Sequence, residues 1–125
     1  MGELGTCFPC RLRPAGRVGH QRPGSWPRPR WRGAWVHDVL LLERGVLLRR
    51  ITSLSVRMPE EAVRHAWPGE IRGLGSDPVV VLLRLDDDNL VEVAAASQHC
   101  ADLVGPFKAA AVATFPDRSD RRAER

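Results

Sequence analysis

Between Thr6 and Phe115, short apolar runs alternate with turn residues, and one amphipathic helical stretch closes the series. Strand-sized segments followed by a single helix can bury their apolar faces in few ways. The simplest is a small curled sheet or split barrel of antiparallel strands, closed by the C-terminal helix. The expected class is therefore α+β, mostly β. A chain of 125 residues suits one such domain with one core. The expected domain covers residues 1–116 and includes an Arg-, Pro- and Gly-rich loop at 13–34, and residues 117–125 read as a disordered charged tail.

Two hairpins carry this reading. Trp35 to Leu42 and Val46 to Val56 flank Glu43-Arg44-Gly45, where Gly45 can supply the positive φ of a three-residue loop. In the second arm Ile51, Ser53 and Ser55 alternate with Thr52, Leu54 and Val56, as a strand with one wet face requires. Val79 to Leu85 and Leu90 to Ala95 flank an acidic turn, Asp86-Asp87-Asp88-Asn89. Thr6 to Leu12 reads as a first strand and Pro14 to Arg32 as irregular loop. Pro59 to Ala66, with Glu60 and Glu61 behind the proline, predicts one or two helical turns, and Glu70 to Leu74 predicts an edge strand. Ser97 is the expected cap of the closing helix. Its apolar stripe is Cys100, Val104, Phe107, Ala111 and Phe115, with Phe107 and Phe115 buried and a kink or restart near Gly105, before Pro106.

Charge is unevenly distributed. Eighteen of the nineteen basic residues are arginine, a bias that fits a GC-rich coding genome. Residues 1–32 carry seven arginines against Glu3, whereas residues 33–117 carry eight bases against twelve acids. A basic arm on a mildly acidic body can reach an anionic membrane or nucleic acid, with Arg22, Arg28, Arg30 and Arg32 as its contact residues. Trp26, Trp31, Trp35 and Trp67 interleave with or follow these arginines, a mixture that can stack on bases or sit at a lipid interface. The plainer readings are a solvated linker, and Trp35 and Trp67 in the core with the arm folded over an edge. The longest apolar run, Val79 to Leu83, is far below the ~18 residues of a membrane span, and the N-terminus lacks a secretory apolar region. The chain as written reads as soluble and cytoplasmic.

Cys7-Phe8-Pro9-Cys10 has the spacing of a zinc or redox pair, so Cys7 and Cys10 are weak metal candidates. His20, His37, His65, His99 and Cys100 supply no second pair at ligand spacing, and no helix follows to activate a thiol. His37 and Asp38, read as strand neighbours, point to opposite faces, and His99 and Cys100 diverge on a helix. Asp86 to Asn89 lacks the alternating ligands of a calcium loop, and Gly73-Leu74-Gly75 lacks the third glycine of a phosphate loop. No catalytic residue and no cofactor are expected.

Several short motifs are similar to one family. Gly5-Thr6, Cys10-Arg11-Leu12-Arg13, Trp35 opening a strand, Ser53-Leu54-Ser55 with Arg57, and Val91-Glu92-Val93-Ala94 leading into a helix with Leu103, Gly105 and Phe107 carry the likeness. They resemble an uncharacterised actinobacterial family of short single-pass membrane proteins with a PH-like domain. The resemblance implies a PH-like barrel without catalytic residues. Family members begin with a transmembrane helix followed by arginines, which implies a barrel on the cytoplasmic side. This chain starts where that helix would end, so the expectation divides between a start upstream of Met1, giving a membrane anchor, and a soluble relative. The function expected is a non-enzymatic PH-like interaction module at the inner face of the membrane, binding a protein or an anionic lipid headgroup. An Arg-rich nucleic-acid-binding protein is the first alternative, and a small zinc or thiol protein the second.

Overall fold

Side chains alternate along each strand, and in the computed structural model, which describes residues 7–21, 24–27, 29–45, 50–75 and 77–107, that alternation separates an inside from an outside. The elements are β1 (Phe8–Arg17), β2 (His20–Gln21), β3 (Trp31–Val36), β4 (Val39–Arg44), β5 (Arg50–Pro59), β6 (Arg64–His65), β7 (Pro78–Leu85), β8 (Asn89–Ala96) and a helix α1 (Cys100–Val104). All pairings are antiparallel. The sequence β1-β3-β4-β5-β7-β8 returns to β1 and closes a ring, while β2 and β6 add short strips to β1 and β7. The protein is thus a mostly-β curled antiparallel sheet closed into a barrel, with a short C-terminal helix.

Two strands make the corners. β1 pairs with β3 through Phe8 to Cys10 and with β8 from Arg11 onward. β5 pairs with β4 from Arg50 to Ser55 and with β7 from Val56 to Pro59. In β5 a register shift between Val56 and Met58 sits at the change of partner, where a bulge bends the strand from one sheet into the next; the shift in β1, between Pro14 and Arg17, lies further along its pairing with β8.

The inward rows are Phe8 and Cys10, Leu40 and Leu42, Val79, Val81 and Leu83, and Val91, Val93 and Ala95. The run Val79 to Leu83 is apolar without a break because β7 is covered on both faces. Outside the barrel, Val80 and Ala94 lie beneath Ile71, Leu74 and Trp26, and Leu82 packs with Ala15 and Leu90. The segments around Trp26 and around Ile71 therefore form an outer layer over part of the sheet.

Leu103, fully buried, and Val104 join the inner core from α1. The Trp35 indole donates Nε1–H to the Leu103 carbonyl at 3.1 Å, and Phe107 meets the Trp35 ring edge-on at 5.7 Å. Gly105 makes this closure possible. Its φ is +50°, and a Cβ there would stand 2.3 Å from the Trp35 ring.

The structure corrects several expectations. The first strand continues through Pro14 to Arg17, so the 13–34 segment holds the end of β1, all of β2 and the start of β3; Pro14 is accommodated beside the bulge. Trp35 to Leu42 is two strands joined by a tight turn at His37-Asp38, with His37 at φ +57°. No glycine marks that turn, but histidine tolerates the left-handed region better than most residues. The second arm of the next hairpin is paired from Arg50; residues 46–49 lie outside the described residues, and Gly45 has the positive φ expected of it.

Pro59 to Ala66 forms no helix, because Val63 enters the core and Arg64 and His65 pair with Val80 and Val79. Glu70 to Leu74 is irregular, since Ile71 and Leu74 both face the sheet at a spacing of three. Ser97 does not cap; it opens a 3-10 turn behind Ala96, with no side-chain hydrogen bond. Beyond Val104 the chain restarts as a 3-10 turn at Gly105–Phe107, as the glycine and proline required. Phe107 is half-buried rather than fully buried, and Trp67, expected in the core, is 71% exposed. Ala111, Phe115 and the 117–125 tail lie outside the described residues.

Candidate functional site at the open end of the barrel

The helix covers one end of the barrel, and no helix among the described residues covers the other. At the other end come the last residues of β1, β4 and β7 and the first residues of β3, β5 and β8. There the inward rows continue past the core as Leu12, Trp31, Leu54, Leu85 and Val91, which line an open cavity of about 710 Å³. Its walls are almost entirely carbon. Polar groups enter at the rim through Arg17, Arg44, Thr52 and Asn89.

Beside this mouth lies a cleft of about 390 Å³ formed by Pro29, Arg30, Arg44, Gly45 and Arg50. Mouth and cleft share Pro29 and Arg44. Arg44 continues the inward row of Leu40 and Leu42, and its guanidinium lies 4.9 Å from the centre of the Trp31 ring, a cation–π contact that holds the charge at the seam. Arg30 donates to the Gly73 carbonyl at 3.1 Å, and Arg50 is exposed. Three arginines thus line one concavity next to an apolar hole, with the Arg30 guanidinium drawn toward Gly73.

The rest of the rim has the opposite sign but is internally paired. In the β7–β8 turn Asp86 and Asp88 lie 4.0 and 3.5 Å from the Arg57 guanidinium. Asp87 accepts hydrogen bonds from the Asn89 backbone N–H at 3.0 Å and from its side-chain amide at 2.9 Å. The Asn89 backbone bond is the main cause that lowers the Asp87 pKa. Arg17 stands between the two sectors, 3.5 Å from both Asn89 Oδ1 and the Asp87 carbonyl.

The sequence-derived arm divides into anchored and outward-facing parts. Arg11 is buried and donates to the carbonyls of Pro27 and Arg72, the latter at 2.6 Å. Arg13 lies over the Trp26 ring at 4.5 Å, reaches the Gly24 carbonyl at 2.6 Å and pairs with Glu92. Two arginines read as part of a free arm therefore fasten it to the barrel. Arg30 lines the basic cleft, and Arg32 is exposed beside Glu43 in an adjoining depression. Arg22 and Arg28 lie outside the described residues.

Glu70 is the knot of the outer layer. It takes two hydrogen bonds from Arg64, at 3.1 and 2.9 Å, one from the Trp26 indole and one from the Trp67 backbone N–H. The Arg64 bonds, with help from the other donors, outweigh burial and hold the carboxyl at about 2 against an ordinary 4.5.

The cysteines diverge. Cys10 is fully buried in the core, which pushes its thiol up to about 12, whereas Cys7 is exposed. A buried neutral thiol on the inner face and an exposed thiol cannot meet on one metal ion without unfolding β1. His65 Nδ1 lies 3.2 Å from Asp77 in an exposed setting, His99 Nδ1 lies 3.5 Å from Asp102 in a partly buried one, and His37 occupies an exposed turn. Among the described residues there is no group of three His, Cys, Asp or Glu placed to hold a metal, and no helix long and apolar enough to cross a membrane.

Sequence reasoning missed Arg44 and Arg50. A usable signal existed, because two arginines that bracket one hairpin connection must come to the same end of the sheet. Comparison of the chain with family models, curated proteins and solved structures found no match.

Proposed function

We propose that this protein is a non-enzymatic, PH-like interaction module that docks on anionic lipid headgroups at the inner face of a membrane. The observation that carries the reading is the cleft in which Arg30, Arg44 and Arg50 converge beside the open mouth. Guanidiniums match phosphate and carboxylate oxygens bidentately, and Arg44, stacked on Trp31, is already ordered for the purpose. Across the mouth, the carboxylates of the β7–β8 turn are met by Arg57 and Asn89, which offsets the acidic side of the rim. Each surface arginine contributes about 1 kcal/mol of attraction to an anionic bilayer, reduced by salt.

Co-sedimentation with vesicles tests it. The protein is expected to bind phosphatidylserine-containing vesicles at low salt and not phosphatidylcholine alone. An Arg30→Gln, Arg44→Gln, Arg50→Gln variant should lose roughly 100-fold in affinity while keeping its circular dichroism, the sum of about 1 kcal/mol at each site. Undiminished binding by that variant would overturn the reading, and tighter binding to a DNA oligonucleotide than to vesicles would favour the nucleic-acid alternative.

A further inference from the structure

We infer that the apolar mouth takes up the hydrocarbon chain of a fatty acid, with its carboxylate held at the seam by Arg44 and its neighbours Arg30 and Arg50. The inference rests on the reading of the basic cleft as an anion site, and it names what the hole beside that cleft is for.

The mouth is a binding cavity rather than unfinished core. Its volume of about 710 Å³ lies in the range of small-ligand pockets, and its lining is apolar with polar groups confined to the rim. Barrel mouths are recurrent ligand sites for this reason. Leu12, Leu54 and Leu85 are only partly buried there, although their inward neighbours Cys10, Val56 and Leu83 are sealed. Water on so much inward-facing carbon is unfavourable, and a ligand that covers that carbon gains the free energy of apolar burial.

Charge selects the occupant. A purely apolar guest would leave the cationic sector unused, and a small anion would leave the hole wet. Because Arg44 and Pro29 border both cavities, the negative group must follow directly on the chain. A carboxylate on the end of an alkyl chain does so, whereas a glycerol spacer would carry the charge beyond the seam. Arg44 can meet such a carboxylate with two parallel N–H donors while its guanidinium carbon stays over the Trp31 ring.

The test uses dodecanoate as a monomer in membrane-free buffer, followed by titration calorimetry. One equivalent should bind with a negative heat-capacity change, the mark of apolar burial, and acetate should not bind measurably. Thr52→Trp, at an exposed rim position that lines the cavity, should block the hole and weaken dodecanoate at least tenfold, with vesicle binding unchanged. Leu54→Trp is the second occluding variant should the first be accommodated by rotation outward. Arg44→Gln should weaken both ligands.

No dodecanoate binding by a folded parent that still binds vesicles would overturn this inference and leave the proposed function standing. Dodecanoate binding insensitive to both tryptophan variants would also overturn it, by placing the chain elsewhere. Binding that appears only after Val46, Leu47 and Leu48 are changed to serine would overturn it by giving the mouth to the protein's own β4–β5 connection. Stoichiometric binding blocked by Thr52→Trp, in a protein that ignores vesicles, would uphold the cavity and reject membrane docking.

Discussion

The two ends of this barrel are built from the same strands and differ in what lies across them. At one end Leu103 and Val104 drop into the core, Trp35 hydrogen-bonds the Leu103 carbonyl, and Phe107 braces Trp35 from outside. At the other, Leu12, Leu54 and Leu85 face inward over a cavity and arginines stand at the edge. A strand's alternation specifies which residues point inward but not whether anything meets them there. The closed end completes the sealed core, whereas the inward-facing carbon at the other end borders a cavity among the described residues.

This contrast makes quantitative demands. The largest concerns Leu103→Ala, which removes a fully buried side chain from the plug and leaves a cavity that the surrounding strands cannot collapse to fill. Chemical denaturation should show a loss of about 2–5 kcal/mol. A loss below about 1 kcal/mol would mean that the helix rests on the barrel without sealing it, and the contrast between the ends would fail.

A middle-sized effect is expected at Glu70, which holds the layer carrying Trp26, Pro27 and Arg30 and so shapes one wall of the mouth without touching the plug. Its folded pKa of about 2 lies below the ordinary 4.5. Its contribution is therefore fully present above pH 4.5 and is lost as pH falls from there towards 2. Glu70→Gln should cost about 1–3 kcal/mol at neutral pH and flatten the acid limb of the stability profile. The emission of Trp26 should shift while the Trp35 environment is preserved, as read in single-tryptophan variants. A change at Trp35 of equal size would show that the two ends are mechanically one.

The smallest effect belongs to Leu54→Ala. At a site already open to the mouth, water replaces the lost methyl groups and no sealed void forms, so about 1 kcal/mol is expected. A penalty as large as that of Leu103→Ala would place the mouth residues in the sealed core and leave no room for a ligand.

Much of this arrangement was legible in the chain. The β7–β8 hairpin with its acidic turn, the half-solvated β5 and the restart at Gly105 follow from local pattern and turn chemistry, and the structure has them. Other features left weaker marks. The His37-Asp38 turn lacks glycine, so an uninterrupted apolar string concealed a hairpin. β1 was cut short because Pro14 and the arginines around it look like loop, whereas Arg11 and Arg13 have specific partners far along the chain. Of the two candidate surface arginines among the described residues, Arg30 lines the cleft and Arg32 the depression beside it, and the companions Arg44 and Arg50 came from a region whose net acidity disguised them.

The sequence by itself determined the class of fold, the inward rows of the central strands and the place where the final helix must break, because side-chain alternation, helix periodicity and the φ demands of glycine and proline are local properties. Only the tertiary structure decided which end of the barrel is closed, which arginines are fasteners and which border an open cleft, and that Cys7 and Cys10 part company. Those outcomes depend on pairings across the ring, such as Arg13 with Glu92 and Trp35 with Leu103, whose partners lie dozens of residues apart and whose energies exist only once the strands have closed.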